Sequence, residues 1–448
     1  MIQLINVSQL ESLWINQHPK SKEVFQEARK ITPGGAHHTQ MIDKWRIEQG
    51  VYPFYVDRAQ GVKVWDIDGN EYTDYFSHAA TFLGHSNLEI VKAINEAVRK
   101  GPFSHDFTEI NVKLCKKIVK MVPCAEVVDF VNSGTQANMG AITIVRAYTK
   151  RKKIVRFNGH FHGWSDQLAS EFAGIPEEIH ANTTVISENS IDALADVVRR
   201  ENPAAVIFHF VYGSAGGCMA MGDEDPIQFM KAMRELTNKH GVLLIADEVI
   251  TGFRLARGGG QEYFGIDVDL ATLGKIVGGS IGGSGAIVGK EEIMSVADPK
   301  KQGLGEVPFT GGTFSGNPLN SAAGYAALDV IDRADGILNE HANKLGERLR
   351  NGLNSIFGKY EFPAQAVGCG SCNSVAFTDK LPIKSVTEYK QRQNHGALYK
   401  WHMYLAVHYR IYTYPGVGAF YIMTPHTNED IDHIIAATED FVKKERGG

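Results

Sequence analysis

Cysteine is scarce: only Cys115, Cys124, Cys218, Cys369 and Cys372 occur in 448 residues. So odd and sparse a set excludes a complete disulfide framework and fits a reducing compartment. No run of about 18 apolar residues is present, which excludes a membrane-spanning helix. Met1 to Leu10 lacks a cationic leader followed by an apolar stretch, so a secretory signal is not expected and the chain is assigned to the cytoplasm. Charge of one sign is also in short supply. The small formal net charge of −5 argues against a nucleic-acid surface as the main business of the chain. The run Lys150-Arg151-Lys152-Lys153 is short and reads as a solvated helix end. Internal repeats and low-complexity tracts are absent. Small molecules remain as the natural partners.

With 43% hydrophobic residues, the chain can bury a large core in more than one domain. A helix is expected near Lys22 to Lys30, before a loop opened by Pro33-Gly34-Gly35. Residues 61–72 alternate around an Asp68-Gly69-Asn70 turn, the pattern of a hairpin. Apolar strands then alternate with helices: Val127 to Val131, Lys153 to Phe157, Ala204 to Phe210, Val242 to Ala246, Asp269 to Leu273 and Gly285 to Val288, with helices such as Gln136 to Tyr148 and Pro226 to Lys239. That alternation predicts an α/β domain with a mostly parallel sheet flanked by helices. After Pro318 come helices near Leu319 to Asp332 and Ile337 to Ile356, then strand-like pieces at Ser374 to Thr378 and Phe420 to Met423. A last helix opens at Thr427 with Asp430 as an approximate capping box. The expected division is an N-terminal segment 1–80 joining the small domain, a large domain 81–325, and a small α+β domain 326–448.

Chemistry concentrates at predicted strand ends, where open parallel sheets bind ligands. Leu244-Ile245-Ala246 runs into Asp247-Glu248, and Ala271-Thr272-Leu273 into Gly274-Lys275. Small and apolar flanks around Lys275 would desolvate its amine and free it for imine formation. Asn132-Ser133-Gly134-Thr135 lies between a strand and a helix, where N–H groups and hydroxyls can cradle an anion. Gly159-His160-Phe161-His162-Gly163 offers a ring suited to stacking on a flat heterocycle. A carboxylate, an imine-forming lysine, an anion cradle and an aromatic face are the groups that pyridoxal 5'-phosphate (PLP) chemistry requires. Other patterns are discounted. Cys369-Gly370-Ser371-Cys372 has no second pair to complete a metal site. Gly278 to Lys290 fails the Walker pattern because Ser284 occupies the first glycine position. His160 and His162 lack a suitably spaced acidic partner, so no metal is expected. Gly258-Gly259-Gly260 reads as a flexible edge of the site.

These motifs, with Pro33-Gly34-Gly35, Val64-Trp65-Asp66-Ile67-Asp68-Gly69-Asn70, Gly311-Gly312-Thr313-Phe314-Ser315-Gly316-Asn317-Pro318 and His426 to Asp432, resemble the class III, fold-type I PLP-dependent aminotransferases. The branch most resembled is that of glutamate-1-semialdehyde 2,1-aminomutase, over nearly the whole chain. The resemblance implies a seven-stranded-type sheet and a bound PLP. It implies that Lys275 carries the cofactor as a Schiff base and moves the proton, while Asp247 keeps the pyridine nitrogen protonated. Phe161 would stack on the ring, and Ser133, Gly134 and Thr135 would hold the phosphate. Thr313 would reach the neighbouring subunit's cofactor, giving a homodimer or a dimer of dimers.

Departures fall on the substrate side. Met41 stands where the aminomutase pattern has a carboxylate-gripping arginine, and loss of that bidentate partner weakens binding of the usual substrate. Phe208-His209-Phe210 replaces the family's Val-Glu-Pro, and Phe309 replaces a tyrosine near the substrate. His37, His38 and His209 form either a polar mouth for a different substrate group or plain loop and core histidines. The first expectation is an aminotransferase moving an amino group between an amine or ω-amino compound and a keto acid. The alternatives are an ammonia-lyase on a small β-substituted amine such as a hydroxy-amino phosphonate, an aminomutase, or a silent binding protein. Intact Asp247 and Lys275 disfavour the last.

Overall fold

In the computed structural model, the described residues are 5–36, 42, 44–101, 107–169, 173–186, 190–213, 217–222, 225–302 and 307–447. His37, His38 and Met41 lie outside them. An antiparallel meander comes first: β1 (Val56–Gln60), β2 (Lys63–Asp66) and β3 (Glu71–Asp74). It contains the hairpin expected around Gly69. The large sheet follows, from β4 (Val127–Val131), β5 (Ile154–Phe157), β6 (Thr183–Ile186), β7 (Ala205–Phe208), β8 (Leu243–Glu248), β9 (Leu270–Gly274) and β10 (Gly285–Gly289). Its seven strands run in the order β4-β10-β9-β8-β7-β5-β6. All neighbours are parallel except β10, which is antiparallel to both β4 and β9.

The central strands are apolar throughout because both faces are covered. Val206, Phe208, Leu244, Ala246, Ala271 and Leu273 point into one core. Ala205, Ile207, Ile245, Leu270 and Ile287 alternate into the other, against Ala137, Ala141 and Val145 of the helix Gly134–Thr149. This is the two-residue period of a strand expressed in two cores. Edge strand β6 was not expected; it is four residues long, begins with two threonines and leaves Val185 exposed. The helices Val7–Gln17, Leu88–Lys100, Glu109–Met121, Ile191–Glu201 and His395–Tyr409 are present besides those expected from the sequence.

A smaller part is built around the hairpin of β11 (Ala364–Cys369) and β12 (Cys372–Phe377), with β14 (Ala419–Tyr421) beside β12. Between them in sequence, β13 (Ile411–Tyr412) pairs in parallel with β3, tying the C-terminal region to the N-terminal meander. Cys369 and Cys372 face each other across the hairpin turn as free cysteines. Among the described residues no helix is long and apolar enough to cross a membrane.

The capping box forms as expected. Thr427 N–H donates to Asp430 Oδ2 at 2.9 Å, and Asp430 N–H donates to Thr427 Oγ1 at 3.2 Å. Removing the hydroxyl with Thr427→Ala leaves helix Asn428–Arg446 with an unpaired N–H. A loss of about 1 kcal/mol is expected, read as a lower urea midpoint with an unchanged slope.

Candidate active site

Sheet register brings the four motifs to one edge. Asp247 lies opposite Thr272 near the carboxyl end of β8, and Glu248 lies opposite Leu273 of β9. Gly274, which ends β9, faces Gly285, and Gly285 also faces Val131 at the end of β4. The chain then continues from β9 into Lys275 and from β4 into Asn132-Ser133. The turn Gly159 to Gly163 follows β5, and His209 follows β7. All are carboxyl ends of mutually parallel strands, where ligands bind.

Asp247 is 2% exposed and fully engaged. Its Oδ2 accepts from Asn138 Nδ2 and His162 Nδ1, each at 2.8 Å, and its Oδ1 accepts from Val249 N–H at 3.1 Å. Burial alone would raise this carboxyl. The electrostatic influence of the neighbouring His209 ring and the His162 hydrogen bond outweigh that and hold it at about 2. Thr272 Oγ1 donates to Asn138 Oδ1 at 2.7 Å, which fixes the amide so that Nδ2 also reaches the His162 carbonyl. Asn138 and Thr272 were missed in the sequence. The available signals were a polar side chain inside an apolar helix face for Asn138 and one inside an apolar strand for Thr272.

Lys275 sits at φ 50°, in the left-handed region that non-glycine residues avoid. No hydrogen-bond partner for its amine exists among the described residues. Burial lowers its basicity; Asp247 opposes that and the buried Arg254 guanidinium reinforces it. Arg254 is fully buried, with Nη1 donating to the Ile422 carbonyl at 3.1 Å and Nη2 to that of Ala79 at 2.9 Å.

Ser133 caps the helix Gly134–Thr149, its Oγ accepting from Gln136 N–H at 3.2 Å. The approach is tight. A Cβ on Gly134 would lie 2.6 Å from Val249, and one on Gly163 would lie 2.4 Å from Thr135 Oγ1. The N–H groups of this first helical turn and the Thr135 hydroxyl can therefore meet an anion. Phe161 is half-buried, and its carbonyl accepts from His209 Nε2 at 2.8 Å.

The structure brings Asp247, His162 and His209 into one cluster. Phe309 and Thr313 are exposed and are not part of this buried cluster. Phe309 is 88% exposed, and Thr313 is exposed on a turn whose Gly312 lies against Asn132. His209 is buried with both ring nitrogens against main-chain oxygens, the placement of a hydrogen-bonded core histidine. Glu248 also has a structural place: it accepts from Gly260 N–H, Gln261 N–H, Gln261 Nε2 and Thr251 Oγ1. The Gly258-Gly259-Gly260 segment is thus tethered, not the flexible edge expected.

Residues 46–407 match the family Aminotransferase class-III. The chain belongs to this family. Class-III aminotransferases bind PLP, and the residues here fit it: an anionic carboxyl, a lysine of lowered basicity and a glycine-lined helix start share one sheet edge. Over 95% of its length the chain is 36% identical to a glutamate-1-semialdehyde 2,1-aminomutase from Persephonella marina, covering 99% of that protein. A β-phenylalanine aminotransferase from Variovorax paradoxus is 29% identical with a TM-score of 0.85, covering 97% of this chain and 96% of that one. A transaminase with PLP bound is 27% identical with a TM-score of 0.82, covering 95% of this chain and 97% of that one.

Proposed function

We propose that this class-III enzyme transfers an amino group from an amine or ω-amino compound to a keto acid. One observation carries the reading: the half-buried Lys275 amine, lowered in basicity by desolvation, at a strand end adjoining that of the Asp247 carboxylate. When bound, PLP supplies an aldehyde and an electron-withdrawing ring. Lys275 Nζ would hold the cofactor's aldehyde carbon and serve as the acid/base that carries the proton to and from the substrate carbon. Asp247 would hold a proton on the pyridine nitrogen. Ser133, Gly134 and Thr135 would bind the phosphate, Phe161 would cover the ring, and Thr313 would serve the second copy of a homodimer.

A second reading, an aminomutase, is favoured by the 36% identity to the Persephonella marina protein. Met41, in place of an arginine for the substrate carboxylate, argues for the first. The two separate in one assay. Candidate amines are supplied with and without pyruvate or 2-oxoglutarate, and glutamate-1-semialdehyde is supplied alone. Amino transfer that requires the keto acid is expected. Conversion of the semialdehyde without a keto acid would establish the aminomutase, and ammonia release without a keto acid would establish a lyase.

A further inference from the structure

Three histidines meet behind the Asp247 carboxylate. One nitrogen from each of His160, His162 and His209 lies within 4.8 Å of the others, a spacing that a metal ion could bridge. Hydrogen-bond accounting excludes that use. His160 Nδ1 accepts from His209 N–H at 3.0 Å, so its lone pair is taken and its proton sits on Nε2. His162 Nδ1 donates to Asp247, leaving one lone pair on its Nε2. His209 offers none. Its Nε2 lies 2.8 Å from the Phe161 carbonyl and its Nδ1 lies 3.2 Å from the Asp247 carbonyl. Carbonyl oxygens only accept, so both ring nitrogens carry hydrogen, and a neutral ring would aim a lone pair at one of them. The ring stacks on His162 with centroids 4.4 Å apart and planes at 18°, and its Nε2 stands 3.8 Å from Asp247 Oδ2.

We propose that His209 is an imidazolium that shares the Asp247 carboxylate with the cofactor's pyridine nitrogen and so weakens this chain's hold on the pyridine proton. The proposal rests on the reading of Asp247 as the partner of that nitrogen. His209 is a positioning residue: it acts through Asp247 and through the Phe161 carbonyl. The groups facing it are Asp247 from β8, His160 and His162 from the turn after β5, and Arg156, whose Nη1 lies 3.5 Å from the His160 carbonyl. Asp247 is the anion among them, so the cation has one counter-charge and must divide it. The glutamate that the resembled pattern carries here would instead add a second negative charge beside Asp247.

Two measurements test this. The first uses protein free of cofactor, labelled with nitrogen-15 in histidine, at about pH 8, where a free imidazole is neutral. Signals assigned by their loss in His209→Gln should show both nitrogens protonated; a neutral-ring pattern overturns the proposal and leaves the PLP assignment intact. The second titrates the visible absorbance of the bound cofactor with pH. In His209→Gln, which keeps a donor and removes the charge, the midpoint should rise by roughly half a unit or more. An unchanged midpoint in fully loaded variant overturns the proposal, whereas a purely structural role would change only the loading. Should the variant fail to fold, the wild-type histidine pattern still decides: two protonated nitrogens on a ring tied to Asp247 support it, and their absence from every buried ring overturns it.

Discussion

Lys275→Ala is expected to lower turnover by about 10⁴-fold or more, the upper range for loss of a positioned acid/base group. The amine is the attachment point and the proton carrier in the proposed reaction, so two functions disappear together. Borohydride treatment should fix the cofactor to the wild-type chain and leave none on the variant. The fold should tolerate the change. The Lys275 amine has no hydrogen-bond partner among the described residues, and its removal relieves the cost of placing a cation near the buried Arg254. Equal thermal midpoints of the two cofactor-free proteins check that part. Retained turnover, or cofactor still covalently fixed, would sink the assignment of Lys275.

Stability should fall steeply as pH drops below about 6.5, the ordinary histidine value. Burial holds His162 and His426 down to about 4, His402 down to about 3, and His160 well below its ordinary value. Between those values and 6.5, the unfolded chain binds protons that the folded chain refuses. Stability from these rings is thus complete above the ordinary value and is lost as pH falls toward the lowered ones. Four such rings cost roughly 5 kcal/mol by about pH 5.5, comparable with the whole net stability of many domains. Asp247 stays ionised throughout this window, because its carboxyl is held at about 2. Asp129 and Glu248, raised by burial, oppose the loss but are fewer. Denaturant unfolding at pH 7.5 and 5.5 measures the difference, and equal stabilities would contradict it.

Much of the sheet was legible because its central strands are short apolar runs between helices. The pairing of β7 with β8 nevertheless ends at Phe208, two residues before the apolar run does. Past that point His209 and Phe210 belong to a bend that no periodicity marks. The cofactor residues were legible for a local reason: Asp247, Lys275 and Ser133 each sit within one residue or two of a strand or helix end. The substrate side was less so. The sequence leaves His209 open as a mouth residue or a hydrogen-bonded core histidine, and its burial beside Asp247 fits the second.

The sequence by itself determined which strand ends carry an acid, an imine-forming amine and an anion cradle, because each is written in a few consecutive residues. Only the tertiary structure decided what surrounds them. Asn138 and Thr272 meet across a sequence separation of 134, and His162 and Asp247 across 85. Such contacts depend on the strand order β4-β10-β9-β8-β7-β5-β6, which places β7 beside both β5 and β8. That order comes from packing two apolar faces at once, a global condition that no single segment records. The charge on Asp247 and the basicity of Lys275 follow from those neighbours.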